Sequence, residues 1–180
     1  PARENHPQKP TSPYGLSKLC VEGYLRFYKE QYGLKSIVFR YGNVFGPRQN
    51  PNGEAGVVAI FYNRLLNAQA PIINGDGEQT RDYIFVRDIT HANLLALNLE
   101  GSDTFNVGTG QETSVNELTH LILEVAESDI EVQTSKKNNF EQRRSCIDYK
   151  KIQDSLNWSP KVSLKEGLSE TFIFFKKNGI

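Results

Sequence analysis

The sequence predicts an α/β fold, and three observations support this class. Segments with the apolar spacing of helices alternate with short runs rich in β-branched and aromatic residues, which is the pattern of strands covered by helices. The runs at 36–41 and 104–108 have the composition of buried strands. The longest helical segment, 14–32, is bounded by residues that commonly begin and end helices.

The first helix is predicted from both of its ends. Ser12 is suited to the N-cap and Pro13 to the first helical position, while Gly33 can end the helix in a left-handed conformation. The apolar and aromatic residues between these ends cover more than one narrow stripe. We therefore expect a helix that is buried on two sides, one of them against a second subunit.

The remaining elements follow in chain order. The strand over 36–41 ends in a turn-forming loop at 42–47, an edge where open α/β sheets place ligands. Ser114 and Glu117 have capping-box spacing at the start of a later helix. The other expected elements are a helix over 57–67, strands over 71–73 and 82–86, a helix over 88–99, a strand over 104–108, a helix over 113–128, a strand over 130–134 and two amphipathic segments over 149–156 and 164–177.

Composition excludes several classes of protein. With 21 basic and 21 acidic residues, no charge excess recruits nucleic acid or an anionic membrane. No apolar run spans a bilayer, and no histidine or cysteine has metal-ligand spacing. We expect a cytoplasmic protein whose Cys20 and Cys146 are buried or reduced thiols. Because the chain opens on Pro1 in a proline-rich polar loop, we also expect it to be the C-terminal part of something longer.

Tyr14 and Lys18 are the strongest candidates for catalysis. Four residues apart on a helix, they lie on one face about a turn from each other. An ammonium beside a phenol favours the phenolate and makes tyrosine a usable base. Beside a nicotinamide ring, such a base could take a proton from a sugar hydroxyl while hydride leaves the same carbon. A solvated helical pair is the alternative interpretation.

Five motifs succeed one another along nearly the whole chain: SPYGLSK at 12–18, RYGNVFGPRQ at 40–49, GEAGVV at 53–58, GDGEQTRDY at 75–83 and FNVGTG at 105–110. By these motifs the chain resembles the C-terminal half of extended short-chain dehydrogenase/reductases acting on nucleotide sugars, within the UDP-glucose 4-epimerase branch. The glycine-rich strand–turn–helix that grips a dinucleotide pyrophosphate is not found in the sequence.

The resemblance implies an architecture and a mechanism. Residues 1–50 would end a Rossmann-type NAD-binding domain, and 51–180 would form most of a small α/β substrate-binding region, returning to the Rossmann domain near 82–110. NAD would take hydride from C4 of a UDP-hexose while Tyr14 takes the hydroxyl proton; the 4-keto sugar then turns over and is reduced on its other face. Lys18 would bind the nicotinamide ribose and lower the pKa of the phenol. The family also favours homodimers through the Tyr14 helix.

The resemblance further implies ligand contacts on the first strand and in the GDGEQTRDY motif. Tyr41 would approach the nicotinamide, although an aromatic residue at a strand end is often only core. Asn43 would bond the substrate diphosphate, unless it is simply a loop residue that tolerates a left-handed conformation. Arg81 would clamp the diphosphate with its planar fork; a salt bridge to Asp82 is the alternative.

Two further sets of residues complete the implied nucleotide site. Residues that would line the uracil pocket, or serve only ordinary packing, are Val57, Ile72 and Asn74. Glu141 would hold the ribose, and Arg143 would supply charge to the phosphates. Relatives carry Arg and Gly where this chain has Asn138 and Phe140, a departure at that end of the site.

Three functions are compatible with these motifs. The first is C4 epimerisation of a UDP-hexose in the intact protein, with this portion inactive by itself. The second is a sugar 4,6-dehydratase or nucleotide-sugar decarboxylase of the same family. The third is a non-catalytic nucleotide-sugar-binding or interaction module.

Overall fold

The computed structural model describes residues 1–52, 56–136 and 142–179, and in them helices alternate with short strands. The α/β class is therefore confirmed. The elements in chain order are α1 (Pro13–Tyr32), β1 (Ile37–Tyr41), β2 (Asn43–Phe45), α2 (Val57–Leu66), β3 (Ile72–Asn74), β4 (Thr80–Arg81), β5 (Tyr83–Phe85), α3 (Val86–Ala96), β6 (Asp103–Val107), β7 (Thr113–Ser114), α4 (Val115–Ala126), β8 (Gln133–Ser135), α5 (Lys150–Leu156) and α6 (Leu164–Asn178).

Among the described residues, three of the four strand pairs are parallel. β1 pairs with β6, β2 with β5 and β3 with β8, whereas β4 and β7 are antiparallel. In the β1–β6 pair the last partners are Tyr41 and Val107. Parallel strands end at the same edge, so Tyr41 and the glycine-containing turn after Val107 lie side by side.

The sequence correctly predicted both caps of α1 and the capping box of α4. The Ser12 side chain accepts a hydrogen bond from the Gly15 backbone, and Gly33 ends α1 in the left-handed region with a φ of 66°. Both halves of the capping box form in α4, between Ser114 and Glu117. These caps satisfy backbone groups that the ends of a helix leave without intrahelical partners.

Two apolar clusters form the core. The first lies among α2, α4, α6 and the β2–β5 pair and includes Phe45, Tyr62, Phe85, Leu118, Ile122, Leu168 and Phe175. The second lies among the β1–β6 pair, α3 and α5 and includes Ile84, Ile89, Ala92, Phe105, Val107, Ile152 and Trp158. Trp158 is fully buried and donates from Nε1 to the backbone carbonyl of Asp88 at 3.1 Å.

Some expectations about burial and boundaries were wrong. None of the α1 residues is buried within this chain, so the described residues do not bury either side of the helix; the expected contact with a second subunit stays a prediction. Cys20 on α1 is exposed and Cys146 is half-buried, but both are free thiols, which agrees with the expectation of buried or reduced thiols. The expected loop at 42–47 contains β2, because β2 pairs with β5 some forty residues later in the chain.

Candidate functional site

The candidate site is a pocket of about 500 Å³ between α2, β3 and the strand ends around β4. It gathers five of the residues expected to bind substrate, namely Asn43, Val57, Ile72, Asn74 and Arg81. The rest of its lining is Gly56, Ile60, Phe61, Arg64, Ile73, Gln79, Tyr83 and Val115. The lining combines apolar side chains with three amides and two guanidinium groups, which is the usual make-up of a site for an amphipathic ligand.

Strand pairing places Asn43 beside the β4–β5 segment. Asn43 is the partner of Tyr83 in the parallel β2–β5 register. Its backbone N–H donates to the Asp82 carbonyl at 2.6 Å, and its side chain remains exposed. Arg81 stands two residues before Tyr83 in the chain. The register therefore places two polar side chains at one end of the pocket.

Arg81 is held at this position by backbone carbonyls. Its Nη1 donates to the carbonyls of Thr80 and Gln142, each at 2.8 Å. The neighbouring Asp82 is 2% exposed, and its carboxylate accepts from the Thr109 backbone N–H at 2.8 Å and from that of Gly110 at 3.0 Å. Asp82 thus organises the turn after β6.

Helix α2 and strand β3 supply the apolar wall. Val57, Ile60, Phe61 and Arg64 recur at the spacing of one helical face. Sequence reasoning selected only Val57 from this face, although the same periodicity points to the other three. The Arg64 stem lies along the wall while its Nε donates to the Ala70 carbonyl at 2.6 Å.

Asn74 is fixed by two contacts at the far side of the pocket. Its side-chain oxygen accepts from the Ser135 hydroxyl at 2.7 Å, and its backbone carbonyl accepts from Gln79 Nε2 at 3.1 Å. Gln79 is itself buried. Sequence reasoning named Asn74 but missed Gln79, which lies within the GDGEQTRDY motif.

The two residues expected from the 138–145 stretch have different outcomes. Glu141 lies outside the described residues. The Arg143 guanidinium is about half exposed and donates from Nη1 to both oxygens of Asp76, at 2.7 and 2.9 Å. This pairing raises the pKa of Arg143. Arg143 is not in the lining of the 500 Å³ pocket.

Tyr14 and Lys18 form a separate group on α1. Lys18 Nζ lies 5.1 Å from the centroid of the Tyr14 ring, as their spacing predicted. Tyr14 is 67% exposed, and neither residue is in the lining of the pocket. Within residues 1–52, 56–136 and 142–179, Lys18 makes no ion pair. The helix therefore presents a phenol and an ammonium on an accessible face.

Tyr41, expected beside the cofactor, ends β1. Its hydroxyl accepts a hydrogen bond from Asn93 Nδ2 of α3 at 2.9 Å, and its ring stacks on that of Phe39. The ring is 42% exposed, so Tyr41 is not an ordinary core residue.

A second cavity, of about 490 Å³, lies between α1, the 4–8 segment and the β1–β6 pair. Arg40 of β1 and Glu22 of α1 form an ion pair there through two hydrogen bonds. Arg40 Nε donates to Glu22 Oε1 at 2.8 Å and Nη2 donates to Oε2 at 2.6 Å. These bonds hold the pKa of Glu22 below its ordinary range. The sequence motifs gave no indication of this pair.

The described residues contain neither a metal-binding cluster nor a membrane-spanning helix. No group of three or more histidine, cysteine, aspartate or glutamate side chains among them could hold a metal ion. None of the helices described has the length and apolar character required to span a membrane.

Comparison with known proteins gives consistent matches over this chain. A family model for GDP-mannose 4,6 dehydratase matches residues 1–171. A putative UDP-glucose 4-epimerase of Methanocaldococcus jannaschii is 46% identical over 178 residues, which are 99% of this chain and 58% of that protein. The chain thus spans somewhat more than half the length of such relatives.

Solved structures share the same fold. The UDP-glucose 4-epimerase of Thermotoga maritima, solved with UDP-glucose, matches with a TM-score of 0.96 at 46% identity, covering 100% of this chain and 58% of that one. The Thermus thermophilus UDP-glucose 4-epimerase, solved as a complex with NAD, matches with a TM-score of 0.92 at 38% identity, covering 99% and 58%.

Proposed function

Because the chain belongs to the family described by the GDP-mannose 4,6 dehydratase model, the NAD-dependent nucleotide-sugar epimerases and 4,6-dehydratases, we propose that the full-length protein epimerises a UDP-hexose at C4. The 46% identity to UDP-glucose 4-epimerases supports the choice of reaction within the family. The substrate would be UDP-glucose and UDP-galactose, or their N-acetyl forms.

The observation that carries the proposal is the pocket whose lining combines Asn43 and Arg81 with apolar residues of α2 and β3. A UDP-sugar needs both kinds of lining, since its base is flat and partly apolar while its diphosphate is anionic. The Arg81 guanidinium and the Asn43 amide suit the diphosphate. Val57, Ile72 and Asn74 suit the base, and the Asn74 contacts with Ser135 and Gln79 keep that end rigid.

Tyr14 is the proposed base. Its phenol would take the proton of the sugar 4-hydroxyl and return it after the sugar has turned, while the Lys18 ammonium favours the phenolate. NAD, when bound, supplies a reversible hydride acceptor for C4. The residues of this chain fit such a cofactor, because Tyr14 and Lys18 share an accessible face of α1 and Tyr41 is partly exposed at the end of β1.

A 4,6-dehydratase is the second candidate, and the description of the matching family model favours it. The two reactions share the oxidation at C4 and differ in the fate of the 4-keto sugar. A dehydratase eliminates water across C5 and C6 and then returns the hydride to C6, with a proton to C5, which leaves a 4-keto-6-deoxy sugar, whereas an epimerase returns the hydride to C4.

A coupled assay of the complete gene product tests the proposal. UDP-galactose is supplied, and UDP-glucose is detected by its oxidation in a second, NAD-reducing enzyme reaction. A parallel reaction contains UDP-N-acetylglucosamine, and a third contains dTDP-glucose and is assayed for a 4-keto-6-deoxy product. Formation of UDP-glucose supports epimerisation. A 4-keto-6-deoxy product without any epimerised sugar would show that the protein is a dehydratase and would contradict the proposed epimerisation.

A further inference from the structure

Helix α1 lacks the apolar anchoring that fixes the other long helices. Helices α2, α3, α4 and α6 each bury residues in the two core clusters, whereas α1 buries none within this chain. Its apolar side chains, such as Tyr24 at 68% exposure and Phe27 at 51%, face away from the chain's own core. Among the described residues, a polar contact ties α1 to strand β1.

The Glu22–Arg40 pair supplies that contact. Both carboxylate oxygens and two guanidinium nitrogens take part, so the pair fixes direction as well as distance. The third guanidinium nitrogen, Nη1, donates to the Glu4 carbonyl at 2.8 Å, and Gln8 Nε2 donates to Glu22 at 3.3 Å. With side-chain exposures of 20% and 27%, the two groups are largely shielded from water.

The pair also connects the two parts of the proposed site. Glu22 follows Tyr14 and Lys18 at intervals of four residues, so the three side chains lie along one side of α1. Arg40 is the residue before Tyr41, and Asn43 begins the next strand. A rotation of α1 would move the phenol relative to Tyr41 and Asn43 without altering the pocket around Arg81.

We propose that Arg40 is a positioning residue, whose two-point contact with Glu22 sets the orientation of α1 and thereby the place of the Tyr14 hydroxyl over the substrate. The proposal rests on the proposed function for the role of Tyr14. A misplacement of about 1 Å at a reacting group can cost on the order of a hundredfold in rate. Loss of the pair should therefore lower kcat by roughly tenfold to a hundredfold and leave UDP affinity within about twofold.

The experiment compares Arg40→Gln, Glu22→Gln and the double variant in the full-length protein. We expect a similar loss of kcat in all three, because each breaks the same pair, and UDP affinity by calorimetry close to that of the wild type. The charge-reversed variant, Glu22→Arg with Arg40→Glu, should recover part of the lost rate. If Arg40→Gln does not fold, Arg40→Lys replaces it, since lysine keeps the charge but cannot form two parallel hydrogen bonds.

Arg144→Gln is the matched control. Arg144 makes an equivalent two-point pair with Glu112, at 3.0 and 2.6 Å, and this pair does not involve α1. Its loss should leave kcat unchanged. Hydrogen exchange gives a second readout that needs no turnover: Arg40→Gln should speed exchange in α1 and spare α4 and α6.

Wild-type kinetics in Glu22→Gln would overturn the proposal. Recovery of kcat in the double variant relative to Arg40→Gln would also overturn it. The loss in Arg40→Gln would then be caused by the unpaired Glu22 carboxylate and not by a rotated helix. Failure of the wild-type protein to epimerise would count against the proposed function, while hydrogen exchange in α1 would still decide whether the pair fixes the helix.

Discussion

The phenol of Tyr14 and the ammonium of Lys18 are neighbours on α1, with Lys18 Nζ 5.1 Å from the ring centroid. Tyr14→Phe removes the proton acceptor and keeps the ring. In the full-length protein we expect kcat to fall by about 10²–10⁴, the range for lost acid–base catalysis, with UDP affinity unchanged. Steady-state kinetics and calorimetry check both values.

Tyr24→Phe is the control for that experiment, because Tyr24 is an equally exposed tyrosine on a different side of the same helix. The Tyr24→Phe variant should keep the kcat of the wild type. A Tyr14→Phe enzyme within threefold of the wild-type rate, a difference of about 0.7 kcal/mol in activation free energy, would remove Tyr14 from the mechanism.

Arg81 is the charged residue of the pocket that faces the proposed diphosphate. Arg81→Ala should weaken UDP binding by about 1.5–3 kcal/mol, the value typical of a hydrogen bond to a charged group. Calorimetry with UDP measures the loss. Arg144→Ala, which removes an arginine paired with Glu112, should leave the affinity as it is. Equal affinities for the Arg81→Ala and wild-type proteins would mean that Arg81 has only a structural role, through contacts such as those with Thr80 and Gln142.

Sequence motifs predicted the polar residues of the site better than its apolar ones. Asn43 and Arg81 belong to motifs, and strand pairing brings them to one pocket. Phe61 and Gln79 were missed, since an apolar helix face and a buried glutamine resemble ordinary core in a sequence. The Arg143–Asp76 pair could not be predicted either, because it joins residues 67 positions apart.

Close packing limits what α6 can accept against the β2–β5 pair. A Cβ at Gly167 would lie 2.8 Å from Cδ2 of Phe85 and 2.9 Å from Cζ of Phe45. Both rings are buried. Gly167→Ala should therefore destabilise the protein by about 1–3 kcal/mol, the usual cost of overpacking. Urea unfolding followed by circular dichroism measures it.

Gly23→Ala is the matched control for this substitution. Gly23 is also helical, but a Cβ there meets no heavy atom within 4 Å. Alanine should stabilise α1 by up to about 1 kcal/mol through its higher helix propensity. If Gly167→Ala unfolds at the same urea concentration as the wild type, α6 can shift away from the two rings.

The Glu22–Arg40 contact also predicts a pH dependence of stability. Arg40 lowers the pKa of Glu22 in the folded state, so the contribution of the pair is complete above the ordinary glutamate pKa of about 4.3 and is lost as pH falls through the lower folded value. Glu22→Gln should destabilise the protein at neutral pH and by less at an acidic pH below the ordinary glutamate pKa. Unfolding free energies at the two pH values test this, and an equal difference at both would contradict it.

Elements with local signals were predicted well, and those fixed by distant partners were not. Ser12, Pro13 and Gly33 mark the ends of α1 within the sequence itself. Strand β2 has three residues, and its existence depends on pairing with β5. The expected strand over 82–86 ends at Phe85, because α3 begins at Val86.

At the scale of the whole molecule, the exposed side of α1 away from the Tyr14–Lys18 face predicts a homodimer. Leu16, Tyr24 and Phe27 lie there at helical spacing, each about half exposed or more. Replacing both Tyr24 and Phe27 by Glu should convert the full-length protein from dimer to monomer, because two charges would be buried at the contact. Light scattering after gel filtration gives the mass.

Val21→Glu serves as the control, since Val21 is 53% exposed but lies on the Tyr14–Lys18 side of α1. It should leave the dimer intact. A wild-type protein that is monomeric at micromolar concentration would contradict the prediction. The division into domains at residue 50 likewise stays a prediction.

Among the described residues, β1 and β6 make a sheet of two strands only. The outer edge of β6 is occupied by side chains, because its Asn106 N–H donates to Glu4 Oε1 and its Thr104 carbonyl accepts from Lys151 Nζ, each at 2.8 Å. No described strand pairs with the outer edge of β1. An unpaired strand edge promotes association, because an extended peptide can form backbone hydrogen bonds with it. When this chain is produced by itself, its solubility will depend on whether another strand pairs with that edge. A short extended peptide added in trans should therefore reduce its tendency to aggregate.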